Sequence, residues 1–293
     1  MAAHAHNPLS HVVDHPTLEI PGLGEVLLPR LGTIQVTRFM VMEVVAAALV
    51  AAVIIPLARH VARHRVSRGR FMNAFEAVVL FIRDGIARPA IDGGAEGHGH
   101  DHGGHGHDHG DHHGHGPGRA SDAFLPFLWT LFFFILFNNL LGMIPGGASA
   151  TGNINVTGVL AILTLGAVIV AGMRAMGPVG FWVGIVPRLD VPALLKPPLW
   201  ILMFIIEVAG LLIRHVVLSV RLFANMLAGH IVLAVILGFI LLARETNFFY
   251  LVMPASVLGV VALSLLELFV AFLQAYIFTF LAALFIGTAV HPH

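Results

Sequence analysis

The sequence predicts an all-α membrane protein, and three observations carry that prediction. Of its 293 residues, 57% are hydrophobic and only 11% are charged, against about a quarter charged in a soluble domain. Several apolar runs exceed the roughly 18 to 20 residues needed to cross hydrocarbon. Residues 123–173 contain no Asp, Glu, Lys or Arg at all. A β-barrel would read as short alternating segments, whereas these runs are continuous. The net charge of zero excludes a broad nucleic-acid-binding surface. The absence of cysteine excludes disulfides, thiolate metal sites and a cysteine nucleophile.

Residues 1–37 read as an N-terminal external segment, polar to mixed, broken by Pro21-Gly22-Leu23-Gly24. They lack the basic start and short apolar core of a signal peptide. The first span occupies 38–59, apolar from 39 to 58, and holds one acid, Glu43, and one proline, Pro56. Arg59, Arg63, Arg65, Arg68 and Arg70 follow at once, while only Arg30 and Arg38 lie shortly before. The positive-inside rule therefore places the amino terminus outside and 59–70 in the cytoplasm.

Residues 60–92 form a basic and amphipathic cytoplasmic segment. Phe71, Phe75, Val78, Val79 and Ile82 recur at helical spacing, with Asn73, Glu76, Arg83 and Asp84 on the other face. This pattern predicts an interfacial amphipathic helix over 71–89 on the inner membrane surface, or else a cytoplasmic helix packed on protein. Residues 93–118 are almost wholly Gly, His and Asp and should be disordered, because they have no apolar surface to bury. The tract from His98 to His115 has the chemistry to bind zinc, nickel or copper through imidazole; the bland alternative is a tolerated flexible loop.

The second and third spans lie within 119–174, at 124–144 and 156–173, joined by a short polar loop. Residues 175–193, flanked by Arg174, Arg188 and Lys196, read as a cytoplasmic connection. Residues 194–293 form a long helical hairpin, 194–243 and 248–290. At 1.5 Å per residue, a helix of about 45 residues measures about 70 Å, roughly twice the hydrocarbon thickness. Such helices must tilt, bend or project from the membrane. The polar turn Arg244-Glu245-Thr246-Asn247 falls outside, which makes about five membrane helices with the carboxyl terminus in the cytoplasm.

Ionisable groups at membrane depth are costly, and this hairpin holds Glu207, Arg214, Arg221, His230 and Glu267, with Asn225 and Gln274. On a helix turning about 100° per residue, Glu207, Arg214, Arg221 and Asn225 fall within about 80° of one another. Antiparallel pairing about the polar turn sets Arg221 level with Gln274, and His230 level with Glu267 about 14 Å nearer the outside. Glu207 lies about 21 Å from Arg221 toward the cytoplasm. His230 is nine residues from Arg221, on the opposite side of a straight helix. A lone Glu or His in a span is readily a satisfied structural hydrogen bond, but Arg221 cannot shed its charge. A permanent cation at mid-membrane needs an anion, and the nearest acids of this chain lie a dozen or more ångströms along the axis, so the geometry suggests a carboxylate from another subunit.

The segment Ser219-Val-Arg221-Leu-Phe-Ala-Asn225-Met-Leu-Ala-Gly229-His230 resembles subunit a of the membrane sector of F-type rotary ATP synthases. Glu267 through Gln274-Ala-Tyr276-Ile-Phe resembles that family's last helix, and Asn138…Gly142…Pro145 with Asn155-Val-Thr157 also fit. The resemblance covers residues 39 to the carboxyl end apart from the His-rich insert. It implies a proton-channel stator subunit that is not itself catalytic. Arg221 would be the essential arginine facing the ring of c subunits. Asn225, Gln274 and Glu207 would be polar residues of two half-channels, and His230 with Glu267 the outer-channel pair. Some family members place the acid on the first of these helices and the imidazole on the second; the exchange keeps both groups at one depth. The implied partners are a ring of c subunits, b-type peripheral stalk subunits, the remaining ATP synthase subunits and membrane lipid, with no nucleic acid and no cofactor. The implied location is the bacterial inner (plasma) membrane.

The rival from another class is a metal-ion transporter, suggested by the His-rich loop. It needs imidazole and carboxylate ligands converging at mid-membrane. The spans offer only His215 and His230 as imidazoles and no Asp, and Arg221 would repel the cation. A membrane-embedded protease is weaker still, since no nucleophile and base occur at helical spacing in the spans. No Gly-x-x-x-x-Gly-Lys-Ser/Thr loop for ATP chemistry occurs.

Overall fold

The computed structural model describes residues 17–20, 24–31, 34–63, 70–92, 120–144, 150–186, 192, 196–244 and 247–290. The His-rich insert and the acid of the polar turn lie outside the described residues. Before the first helix come two small antiparallel hairpins that the sequence reading did not anticipate. β1 (Thr17–Ile20) pairs with β2 (Gly24–Leu27), and β3 (Arg30–Leu31) with β4 (Ile34–Gln35). The Gln35 side-chain amide donates to the Leu28 carbonyl at 3.2 Å. Strands of two to four residues are too short for their alternation to stand out in so mixed a segment.

The described residues after them are mostly helical: α1 (Arg38–Arg63), α2 (Arg70–Phe81), α3 (Ala120–Gly142), α4 (Ile154–Met176), α5 (Pro178–Gly184), α6 (Lys196–Ala243) and α7 (Phe249–Val290). Five of these, α1, α3, α4, α6 and α7, are long and apolar enough to cross a membrane. Their positions match the spans expected from the apolar runs. In lipid each backbone group must be satisfied within its own segment, and a continuous helix does this. The chain is an all-α membrane protein in its spanning part.

The amphipathic segment departs from a simple α-helix. After Phe81 it continues as a π-helix over Ile82–Asp92, wound wider so that each N–H reaches five residues back. Ile82, Ile86, Ala87 and Ile91 are buried there. Apolar residues four and five apart make one face in the wider winding but smear around an α-helix, and Pro89 has no N–H to keep the tighter ladder. On the exposed side Arg83 Nε lies 3.0 Å from Asp84 Oδ1, and Arg88 also pairs with Asp84. The hydrogen bond from Arg83 holds the Asp84 carboxyl below the usual carboxylate range.

The fold comprises two compact units. The first holds Met1–Pro56, Phe132–Leu163 and Arg214–Ile277. Within it Phe39 and Ala150 are buried together with Met42 and Val156 against them. Phe132 and Phe133 pack edge to face at 5.4 Å, and Phe133 stacks on Phe137 at 6.0 Å. The C-terminal end of α3 is polar yet sealed: Asn138 and Asn139 are each 1% exposed. Thr151 Oγ1 donates to Asn139 Oδ1 at 2.8 Å, and Asn138 Nδ2 donates to the Phe134 carbonyl at 2.9 Å.

The second unit holds Leu57–Leu131, Thr164–Ile213 and Phe278–His293. Here Trp129 Nε1 donates to the Val79 carbonyl at 3.1 Å. The ring of Phe181 lies where a Cβ on residue 172 would be, so Gly172 is required. Phe181 belongs to α5, which the sequence reading left within a connection. Its signals were present in Gly177, at φ 81°, followed by Pro178 at the first helical position. A Cβ on residue 287 would overlap the Ala90 carbonyl, so Gly287 lets α7 cross the π-helix closely.

Asp92 also closes the base of the His-rich insert. Its carboxylate accepts the Ser121 N–H at 3.2 Å and the Ser121 O–H at 2.6 Å, satisfying donors at the start of α3. The two ends of the insert are thus held together by contacts outside it. Deleting residues 97–116 leaves assembly and proton-driven ATP synthesis within about twofold of native, since shortening the closed loop changes its closure entropy by only about 1 kcal/mol, and in the direction that favours closure. Synthesis in membranes with quantified complex checks this. Loss of synthesis at an unchanged amount of complex would give the loop a direct role.

Candidate proton-translocating site

The site is built on the two longest helices, of 48 and 42 residues. Only 6% of the most apolar window of α6 is buried within the chain, against 50% for α3. α3 is therefore an internal helix, whereas α6 offers most of its surface to lipid or other subunits. The buried residues of α6 are His215, Leu218, Ser219, Leu222 and Met226. Spaced three and four apart, they form one face. Arg221 lies off that face and is exposed, and Asn225 is half-buried at its edge. Among the described residues no hydrogen bond or ion pair reaches Arg221 from within the chain.

His230 and Glu267 do come together. His230 Nδ1 lies 4.0 Å from Glu267 Oε1, as the register about the polar turn anticipated. Glu267 is 7% exposed and its Oε1 has no hydrogen-bond partner among the described residues. The imidazole meets two further oxygens: Nδ1 is 2.8 Å from the Met226 carbonyl and Nε2 is 3.2 Å from the Gly142 carbonyl. Gly142 ends α3, where the last carbonyls have no partner inside the helix and carry its negative pole. A neutral imidazole has one N–H and the imidazolium has two. Either tautomer of the ring therefore has a carbonyl acceptor for its N–H.

Gly229 explains how Glu267 comes so close. A Cβ there would overlap the Glu267 carboxylate. Replacing Gly229 by Ala therefore displaces the tip of a flexible side chain, at little cost in stability, and breaks the His230–Glu267 spacing. If the pair relays protons, the expected result is normal assembly with proton flux in one direction reduced by about tenfold or more, a loss that misplacing a reacting group by an ångström readily produces. Sided flux measurements on assembled vesicles check it; unchanged flux would show that the spacing is unimportant.

The other anticipated residues are placed differently. Gln274 is buried on α7, but no hydrogen bond joins it to Arg221. Glu207 belongs to the second unit and is half-buried. Sequence reasoning missed the Gly142 and Met226 carbonyls, because a backbone oxygen carries no residue identity. It also missed the hydroxyl pair Ser219–Thr157, at 3.1 Å. Among the described residues no group of three or more His, Asp or Glu side chains comes together to hold a metal ion.

Five helices long and apolar enough to cross a membrane, with a close acid–imidazole pair and an exposed arginine on the longest hairpin, define a polytopic membrane protein. Residues 113–287 match the ATP synthase A chain family. The chain is 37% identical to ATP synthase subunit a of Chloroherpeton thalassium over 96% of its length and 76% of the relative's. It is 40% identical to ATP synthase subunit a of Myxococcus xanthus over 94% and 79%, and 38% identical to ATP synthase subunit a 2 of Prosthecochloris aestuarii over 96% and 78%. The chain belongs to the ATP synthase A chain family. It is a membrane-sector subunit that works in complex with other ATP synthase subunits in proton transport and ATP synthesis.

Proposed function

We propose that this subunit forms two half-channels that load and unload the carboxylates of a ring of c subunits, and that it acts as a stator without chemistry of its own. Protons enter from outside past His230 and Glu267, with Asn225 and Gln274 completing the polar path to the ring. After nearly a full rotation each proton leaves near Arg221 toward Glu207 and the cytoplasm. The amino terminus lies outside and the carboxyl terminus in the cytoplasm of a bacterial inner membrane. The π-helical segment rests on the inner surface, and b-type stalk subunits hold the chain against the ring. Each charge moved through 100 mV supplies about 2.3 kcal/mol, the energy that turns the ring.

The observation carrying this reading is the His230–Glu267 spacing of 4.0 Å together with an exposed Arg221 on the same helix. A site that relays protons needs titratable groups in reach of one another, and a fixed cation without an internal anion calls for an external one. The test is passive proton flux in vesicles stripped of the catalytic head. Flux that needs both this chain and the ring supports the reading. An assembled sector that passes no protons under an imposed gradient overturns it.

A further inference from the structure

We propose that Ser219 and Thr157 are positioning residues that set the rotation of α6 about its axis and so aim Arg221 away from the rest of the chain. The proposal rests on the reading of Arg221 as the residue that meets the ring. Both hydroxyls are sealed: Ser219 is 5% exposed and Thr157 0%. Ser219 Oγ donates to Thr157 Oγ1 at 3.1 Å, and Thr157 Oγ1 in turn donates to the Ile154 carbonyl at 3.2 Å. The second bond takes the threonine's only proton, so the serine must be the donor in the first. The result is a directional chain from α6 into the first turn of α4.

The remaining buried residues on this face of α6 include Leu218, Leu222 and Met226. Between helices in lipid, apolar contacts of this kind have little preference for one rotation, because the lipid is as apolar as they are. A hydrogen bond between buried hydroxyls is directional, and breaking it strands a polar group in hydrocarbon. Ser219 and Arg221 are two residues apart, so they point about 200° from each other around the helix. Holding the serine inward therefore holds the arginine outward. A residue three or four away could not do this, since it shares the arginine's own side.

The experiment uses the assembled complex and exploits the absence of native cysteine. Val217 is exposed and lies about 40° from Arg221 around the helix, whereas Val220 is exposed and about 100° away. Val217→Cys should cross-link to a cysteine placed beside the ion-carrying carboxylate of a c subunit, and Val220→Cys should do so poorly. Adding Thr157→Val should lower the Val217→Cys yield and raise the Val220→Cys yield by about threefold, the factor one interhelical hydrogen bond in a membrane carries. ATP synthesis should fall in parallel. Thr157→Ser, which keeps the hydroxyl, should change neither. Ser219→Ala gives the same readings if Thr157→Val lowers assembly. Unchanged cross-linking in both variants overturns the proposal, whether or not synthesis falls. A Val217→Cys chain that assembles but never cross-links to the ring overturns the reading of Arg221 itself, and the positioning role with it.

Discussion

Replacing Arg221 by Ala abolishes ATP synthesis and opens a passive proton leak through an assembled membrane sector. In the proposed mechanism the cation has two jobs. It lowers the pKa of each arriving ring carboxylate, by about 1–3 units for an opposite charge at close range. Without it, the protonated fraction at the exit rises on the order of ten- to a thousandfold and release fails. It also repels a proton crossing directly between the half-channels, so its loss joins them. Arg221 suits this role because it is exposed on α6, with no ion pair to spend its charge among the described residues. Arg221→Lys keeps part of the barrier but couples poorly, since lysine is compact, strongly hydrated and able to lose its proton when buried. The measurement is internal pH, followed with a dye, in head-stripped vesicles under an imposed gradient. An Ala variant that assembled normally and stayed proton-tight would make Arg221 a structural residue and sink the half-channel mechanism.

His230→Ala and Glu267→Gln each slow proton entry from the outer side, on the order of a hundredfold if the pair relays protons as positioned acid–base groups do. Exit toward the cytoplasm is affected far less. Because the two groups lie 4.0 Å apart, the double variant is no slower than the worse single one, the non-additivity expected of residues that act as a unit. Exchanging the two, His230→Glu with Glu267→His, restores part of the flux lost in either half-exchange, since one acid and one imidazole stay at one depth. Sided flux across a range of pH reads all six variants, the two half-exchanges included. Additive losses, or equal slowing of both directions, would remove the pair from the outer channel.

Much of this protein was determined by its sequence alone, because a bilayer leaves few choices. Apolar length and the need to satisfy each backbone group within its own segment set five helices at their observed places, including a hairpin of two very long ones. Antiparallel register about the turn before Phe249 then brought His230 level with Glu267, and the fixed rotation per residue put Arg221 off to the other side. What only the tertiary structure decided depends on groups that have no identity in a sequence or on neighbours far along the chain. The Gly142 carbonyl that receives His230 is one peptide oxygen among many, singled out because α3 ends there. Gly229 was legible as a small residue, but its purpose appears only with the Glu267 carboxylate lying against it. The π-winding over Ile82–Asp92 answers to four buried side chains, whose burial periodicity alone cannot assign. Ser219 and Thr157 are ordinary hydroxyls until folding brings them across 62 residues of chain to hold α6 at one rotation.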